Sequence, residues 1–544
     1  MDLQVGILSP MRQHDILSNI LAHMDDRHSR AHRGSLFLIL LIGFLLRWYS
    51  LAVGHAYTFF AIKDEISALK YAFGFMAGDP TTFYLGQPAL NQGQIPGPLW
   101  AIFVASLYKL GGNSVEGAIF WMVLLNTLVI YLVYNLASRM LPVRYALFSA
   151  LFYALSPWAI YYSAGLYNPM ALALLGVLLY LALWQTLNSE NSRAVFWVAL
   201  LAAATPQFHM IGVFYYPAIV LLLLLNPHRT NLHWLAAGVI AGILLYVPYL
   251  IGEITHHWSN LHNVLHSTEK FSSGVFKVIT IPIGMLTNHP GEWPGYTTKE
   301  LIEFANRWFG SYVILIIINI VSLILAMLFL SSLVKRFYVV LRTARLNLRN
   351  AFAQDRQHIF IGVLLILPLL LYLLTGKAYT TRYSIFIFPI LFLLPGLYLA
   401  HSDKQRLKQI VFYAMSIMFM CNIYLVLSFY ADQNRKLTTS SQFMPAFYKL
   451  EALYTALRNK AGNDKIIVVD TTNFLDKDNK YRDITTKAIS TYVNLYRIYP
   501  SSKYSREESV HYILVDSQSK VPVGAKIIYR DNGLIVFSTG SASR

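Results

Sequence analysis

Residues 35–53 read SLFLILLIGFLLRWYSLAV, a run whose one charged side chain is Arg47. A hydrocarbon core about 30 Å thick is crossed by about 20 mostly apolar helical residues, so this run is long enough to span a bilayer. Similar runs begin near Val115, Arg144, Asn168, Ala194, Ile211, Asn231, Gly310, Ile359, Tyr383 and Gln409, which predicts about eleven spans. Those between 194 and 226 are short and carry Pro206 and Pro217. Across the 544 residues 56% are hydrophobic, 14% aromatic and only 13% charged, a balance that excludes an ordinary soluble domain. The fold class expected is an all-α polytopic membrane protein.

The net charge of +17 does not point to nucleic acid, because the basic residues are scattered through short loops and form no single face. Membrane orientation accounts for them better. Arg139 with Arg144, Arg193, Arg229, the set Lys335, Arg336, Arg342, Arg345, Arg349 and Arg356, and then Lys404, Arg406 and Lys408 all fall in alternate loops. Together with the basic residues 1–34, they place one face in the cytoplasm. The opposite, outward face receives loops 54–113 and 253–307, the turns 164–168 and 376–382, and everything after 430. The polar stretch with Arg27, Arg30 and Arg33 ahead of the first run predicts an uncleaved anchor in the inner or plasma membrane. Cys421 is the single cysteine, so no intrachain disulfide and no cysteine-ligated metal site can form.

Beyond 431 the pattern changes. KIIVVD (465–470), YILVD (512–516) and a hairpin over 526–538 around Asp531-Asn532-Gly533 read as strands. A small extracytoplasmic α/β domain over 431–544 is expected to follow the membrane module of 35–430. No internal repeat is evident, which weighs against an inverted-repeat transporter.

Four segments carry a family resemblance. LLRWYSLAVGHAYTFFAIKDEISALKYAFGFMAGDP (45–80) has an Arg late in the first span, an Asp-Glu pair opening a helix, and a Gly-Asp after it. QIPGPLWAIFVASLYKLGG (94–112), LSPWAIYYSAGLYNPM (155–170) and TTRYSIFIFPILFLLPG (380–396) follow in order on one membrane face. In this the chain resembles the C-type superfamily of lipid-linked-sugar glycosyltransferases, of the protein O-mannosyltransferase and aminoarabinose-transferase type. It departs from the pattern at Ala164 and Asn168, where members carry an Arg and an acidic residue, and at Pro96-Gly97-Pro98 in place of a Pro-Pro pair.

The resemblance implies an inverting glycosyltransferase that moves a sugar from a polyprenyl phosphate to an acceptor outside the cytoplasm. Such transfer needs a base for the acceptor proton and positive charge for the departing phosphate. It makes Asp64 and Glu65 the catalytic candidates, with Asp64 first. Adjacent helical residues point about 100° apart, so one would act as base and the other as orienter. A plain helix cap at Asp64 is the competing reading. Arg382, Tyr383, Arg47, Asn168, Gln94 and Pro98 are implied to bind substrate, Arg382 through its planar fork; snorkelling of Arg382 to the interface and structural pairing of Arg47 are the competing readings. His262 and His266 stand at i,i+4 without an acidic third ligand, so no metal residues are assigned, although the family leaves a divalent metal open. A transporter or lipid flippase is the alternative function, and a non-catalytic scaffold a third.

Overall fold

A computed structural model describes residues 30–54, 62–89, 93–189, 192–265, 273–286, 298–345, 347–376 and 379–439, and four strands nearer the C-terminus. Among these, seven helical segments are long and apolar enough to cross a bilayer: His32–Val53, Val115–Ser138, Asn168–Asn188, Tyr312–Thr343, Arg356–Leu374, Thr381–His401 and Gln405–Asp432. An eighth forms if Leu232–Leu245 and Val247–Thr255, bent by 43°, count as one span. The other apolar runs fold as the shorter helices Val143–Ala154, Ala194–Phe208 and Met210–Leu225. All the expected runs are therefore helical, but only seven or eight reach spanning length. Proline explains much of the shortening: Pro157, Pro217 and Pro248 open new helices in the first turn, and Pro206 sits within the last turn of Ala194–Phe208.

Tyr312–Thr343 buries Leu315, Leu325, Ala326 and Phe329 while Val313, Ile317, Ile320 and Ile324 stay exposed. An apolar surface of this extent is stable against lipid and not against water. The chain is a multi-pass integral membrane protein. Its most enclosed span, Thr381–His401, lies against Leu172–Asn188, where the Tyr180 hydroxyl donates to Phe386 O at 3.0 Å and Tyr215 packs on Phe386 with centroids 4.4 Å apart.

The two ends of the bundle differ in chemistry. At one end Arg139 reaches Gln185 (3.2 Å), and Arg229 and Arg356 reach Asn188 (2.6 and 3.0 Å), while Arg336 pairs with Asp355 at 2.9 Å. The basic loops that the sequence assigns to one face thus meet on the last turn of Leu172–Asn188. Glu65, Leu166, Tyr167 and Arg382, from three of the resemblance segments, meet at the other end.

Short strands β1 (Pro88–Ala89) and β2 (Gly93–Gln94) pair antiparallel there. Strands β3 (Ile466–Asp470), β4 (Ser509–Asp516), β5 (Lys526–Asp531) and β6 (Leu534–Ser538) form a sheet of order β3-β4-β6-β5, parallel between β3 and β4 and antiparallel elsewhere. Asp531 pairs with Leu534 across the expected hairpin. The segments that would complete an α/β domain lie outside the described residues. Helix Gln405–Thr439 runs past the boundary expected at 430, and its enclosed Asp432 is tied back to Arg307 at 2.9 Å.

Candidate functional site

Helix Ile62–Met76 buries Glu65, Ala68, Leu69, Ala72 and Phe73. That is the i, i+3, i+4, i+7, i+8 stripe of an amphipathic helix, and a carboxylate occupies its first position. Phe73 meets Tyr108 of Leu99–Leu110 edge-on at 4.9 Å, so these two short helices pack on each other. Glu65 is only 8% exposed, and its Oε1 accepts the Leu166 N–H at 3.0 Å. Gly165 makes that approach possible, since a Cβ there would stand 2.4 Å from Glu65 Oε1. Asp64 lies two residues inside the helix and not at its cap position; its side chain is outside the described residues.

The segment that receives Glu65 is a broken turn. Ser156 caps Pro157–Tyr161, accepting the Ala159 N–H at 3.3 Å, and a 3-10 turn at Asn168–Ala171 leads into the next span. Asn168 is buried and its Nδ2 donates to Phe208 O at 2.7 Å. Phe208 and His209 form the tip between Ala194–Phe208 and Met210–Tyr215. His209 Nδ1 accepts the Ile211 N–H at 3.2 Å, which leaves the proton on Nε2 of a neutral ring. Burial first, and then the Arg382 charge, push this imidazole down to about 3. It is neutral at physiological pH.

Arg382 enters from a third direction, in the 3-10 turn Thr381–Ile387. Its Nη1 donates to the Tyr167 hydroxyl, and its guanidinium stands 5.8 Å from the Tyr167 ring and 5.5 Å from the Tyr383 ring. Tyr383 is buried beside Tyr372, Tyr379 and His209, with ring centroids 5.8, 5.7 and 5.2 Å away. Three consecutive residues therefore take three partners: Leu166 takes Glu65, Tyr167 takes Arg382, and Asn168 takes Phe208. A carboxylate and a guanidinium are held on one short turn.

Gln94 and Pro98 lie on the segment leading into Leu99–Leu110. Pro98 is buried at the start of Leu99–Leu110, whose Trp100 and Phe103 pack on Phe208 at 5.8 and 5.5 Å. Gly97, at φ +110°, leaves room for Gln207; a Cβ would stand 2.4 Å from Gln207 Oε1. Gln207 itself donates to Leu245 O at 2.9 Å. The backbone N–H of Gln94 donates to Asn260 Oδ1 at 2.6 Å, and its Nε2 donates to the Tyr71 hydroxyl at 3.4 Å.

Arg47 stands apart in its contacts. It is fully buried, donates from Nη1 to Gly43 O and Ala154 O at 3.0 and 3.1 Å, and lies 5.6 Å from the Tyr153 ring. These bonds tie the first span to the end of Val143–Ala154. Of the histidines, His262 is described and His266 is not; among the described residues no three His, Cys, Asp or Glu side chains form a group able to hold a metal. The sequence reading missed Tyr167, Asn260 and Glu253. Aromatic and amide residues of this kind have no spacing rule that marks them, whereas Glu253 was legible as an acid at the end of an apolar run.

A family model for dolichyl-phosphate-mannose-protein mannosyltransferases matches residues 95–251. The crystal structure of ArnT from Cupriavidus metallidurans bound to undecaprenyl phosphate is similar with a TM-score of 0.56 and 11% identity, over 94% of this chain and 98% of that one. The same protein in the apo state gives 0.53 and 11%, over 87% and 93%. No curated protein matches the sequence significantly.

Proposed function

We propose that this chain, which has the fold of the C-type membrane glycosyltransferases, is itself an inverting glycosyltransferase using a polyprenyl-phosphate-linked sugar. The observation that carries the reading is the turn at Leu166–Asn168, which brings Glu65 and Arg382 to one place at the end of the bundle opposite the basic loops. The match to a structure holding undecaprenyl phosphate and the mannosyltransferase model over 95–251 support the donor class. Excess Lys and Arg mark the cytoplasmic side, so the site and loops 54–113 and 253–307 face outward, and transfer occurs there.

In the proposed reaction the acceptor hydroxyl attacks the anomeric carbon as the bond to the phosphate oxygen breaks. The electron pair leaves with the polyprenyl phosphate, the acceptor proton passes to Asp64, and the new bond forms with inverted configuration. Glu65 fixes helix Ile62–Met76 on the turn and so orients Asp64. Arg382, with Tyr167 and Tyr383 around it, meets the phosphate with a bidentate fork. Asn168 and Pro98 hold the hairpin tip and the start of Leu99–Leu110 in register, and Arg47 fixes the first span. Two experiments test this. Deleting the gene should remove one sugar mass from a surface glycan, glycolipid or glycoprotein, and purified protein in liposomes should release free polyprenyl phosphate as it transfers. An unchanged set of surface masses would contradict the reading.

A further inference from the structure

Helix Val247–Thr255 ends in a carboxylate that the transfer scheme does not use. Glu253 is 1% exposed, and its enclosed carboxylate has one neighbouring donor, the Tyr249 hydroxyl. The helix is pressed onto Pro80–Tyr84, because Gly252 has no side chain and a Cβ there would stand 2.8 Å from Tyr84 Cβ. Tyr249 lies one turn earlier, and its hydroxyl meets Glu253 as a side-chain hydrogen-bond partner while it accepts from Asn260 Nδ2 at 3.2 Å. Asn260 also holds the Gln94 backbone at both its N–H (2.6 Å) and its O (3.3 Å). Gln94 Nε2 donates to Tyr71, but Gln94 Oε1 is enclosed without a partner.

Two acceptor oxygens, the second oxygen of Glu253 and Gln94 Oε1, thus adjoin this Tyr249–Asn260–Gln94 chain without a donor among the described residues. An enclosed carboxylate with a single neighbouring donor is costly to keep, and each unmatched oxygen calls for something that satisfies it. We infer that Glu253, with Gln94, forms a subsite that recognises the hydroxyl groups of a sugar. Hydroxyls supply the missing donors, and a charged acceptor makes such bonds about twice as strong as a neutral one. Tyr71 lies on helix Ile62–Met76, about 9 Å along its axis from Glu65 at 1.5 Å per residue, so the subsite borders the proposed transfer site. The assignment of a sugar rests on that proposed function, whereas the unmatched acceptors do not.

The test uses the full chain, wild type and Glu253→Gln, in lipid nanodiscs, followed by thermal unfolding and by titration. The probes are undecaprenyl phosphate, the same lipid carrying mannose, glucose, galactose or arabinose, and the four free methyl glycosides. Without ligand Glu253→Gln should unfold at or above the wild-type temperature, since the amide removes an unmatched charge. Its affinity for one sugar-bearing probe should fall at least 10-fold, while its affinity for undecaprenyl phosphate stays the same. Loss confined to the lipid-borne sugars assigns the subsite to the donor, and loss confined to the glycosides assigns it to the acceptor. Lower unfolding temperature with sugar affinity intact would make Glu253 a structural group and overturn the inference, as would a wild type that no sugar stabilises. Wild-type binding of a glycoside without any binding of undecaprenyl phosphate would instead count against the donor reading and leave the subsite standing.

Discussion

Glu65 and Leu166, 101 residues apart in the chain, are joined by a 3.0 Å hydrogen bond from a backbone N–H to a buried carboxylate oxygen. This bond fixes the acidic helix on the turn that also receives Arg382. A hydrogen bond to a charged group contributes about 1.5–3 kcal/mol, and a buried N–H left without an acceptor is costly. Glu65→Ala should therefore destabilise the protein by roughly that amount, whereas Glu65→Gln keeps an oxygen for Leu166 and should lose less. Gly165→Ala should resemble Glu65→Ala, because its Cβ would stand 2.4 Å from the same oxygen. Thermal unfolding of the three variants in one detergent orders them; equal stability of Glu65→Ala and wild type would remove the bond from the account.

Gly97→Ala tests the approach of the Pro96-Gly97-Pro98 segment to the hairpin tip. At φ +110°, with Gln207 Oε1 2.4 Å from the added Cβ, the variant combines backbone strain of about 1–3 kcal/mol with displacement of Gln207. A lowered unfolding temperature is expected, and activity should fall with it. A silent substitution would show that the segment shifts freely.

Arg382→Ala should weaken use of the lipid donor, and Arg382→Lys should keep only part of it, since an ammonium supplies charge without the planar fork. Titration of donor against rate should show the deficit mainly at low donor. Unchanged donor dependence in Arg382→Ala would reduce Arg382 to a partner of Tyr167 and Tyr383.

Much of this was legible in the sequence, and the exceptions have physical causes. Apolar length located the helices, but among the described residues only seven or eight reach spanning length, because proline or a polar tip such as Gln207-Phe208-His209 ends the others early. Charge in the loops separated the two ends of the bundle, and the basic residues do meet on Gln185 and Asn188. Family resemblance supplied Glu65, Asn168 and Arg382, which the structure brings to one turn. Spacing alone would also have marked Glu65, because Ala68, Leu69, Ala72 and Phe73 continue its stripe. Tyr167 and Asn260 were invisible, since their roles arise from long-range contacts that no local pattern encodes. The resemblance made Arg47 a binding residue while its depth equally allowed a structural partner, and depth alone cannot tell a ligand contact from a tie to Ala154 O.

The basic end carries a pH-dependent fastening. Asp355 caps Arg356–Leu374 and bonds His358 and Arg336. Burial raises its pKa, but the bonds from His358 and Arg336 outweigh it and hold the carboxyl below its usual range. A depressed folded value means the stabilisation is complete above the unfolded value of about 3.9 and is lost as pH falls through the folded one. Unfolding temperature should therefore decline in acid below about pH 4, and Asp355→Asn, which keeps the cap, should flatten that limb. Parallel acid limbs for the two proteins would contradict the assignment.

We propose that the Asp64-Glu65 pair carries the transfer chemistry at the turn fixed by Leu166. The most direct measurement is turnover of a polyprenyl-phosphate-linked sugar by purified, reconstituted Asp64→Asn and Glu65→Gln proteins, with donor binding followed in parallel. Asp64→Asn should lose about two to four orders of magnitude in turnover with donor binding kept, and Glu65→Gln should lose less. Turnover by both amides equal to that of the parent would contradict this proposal.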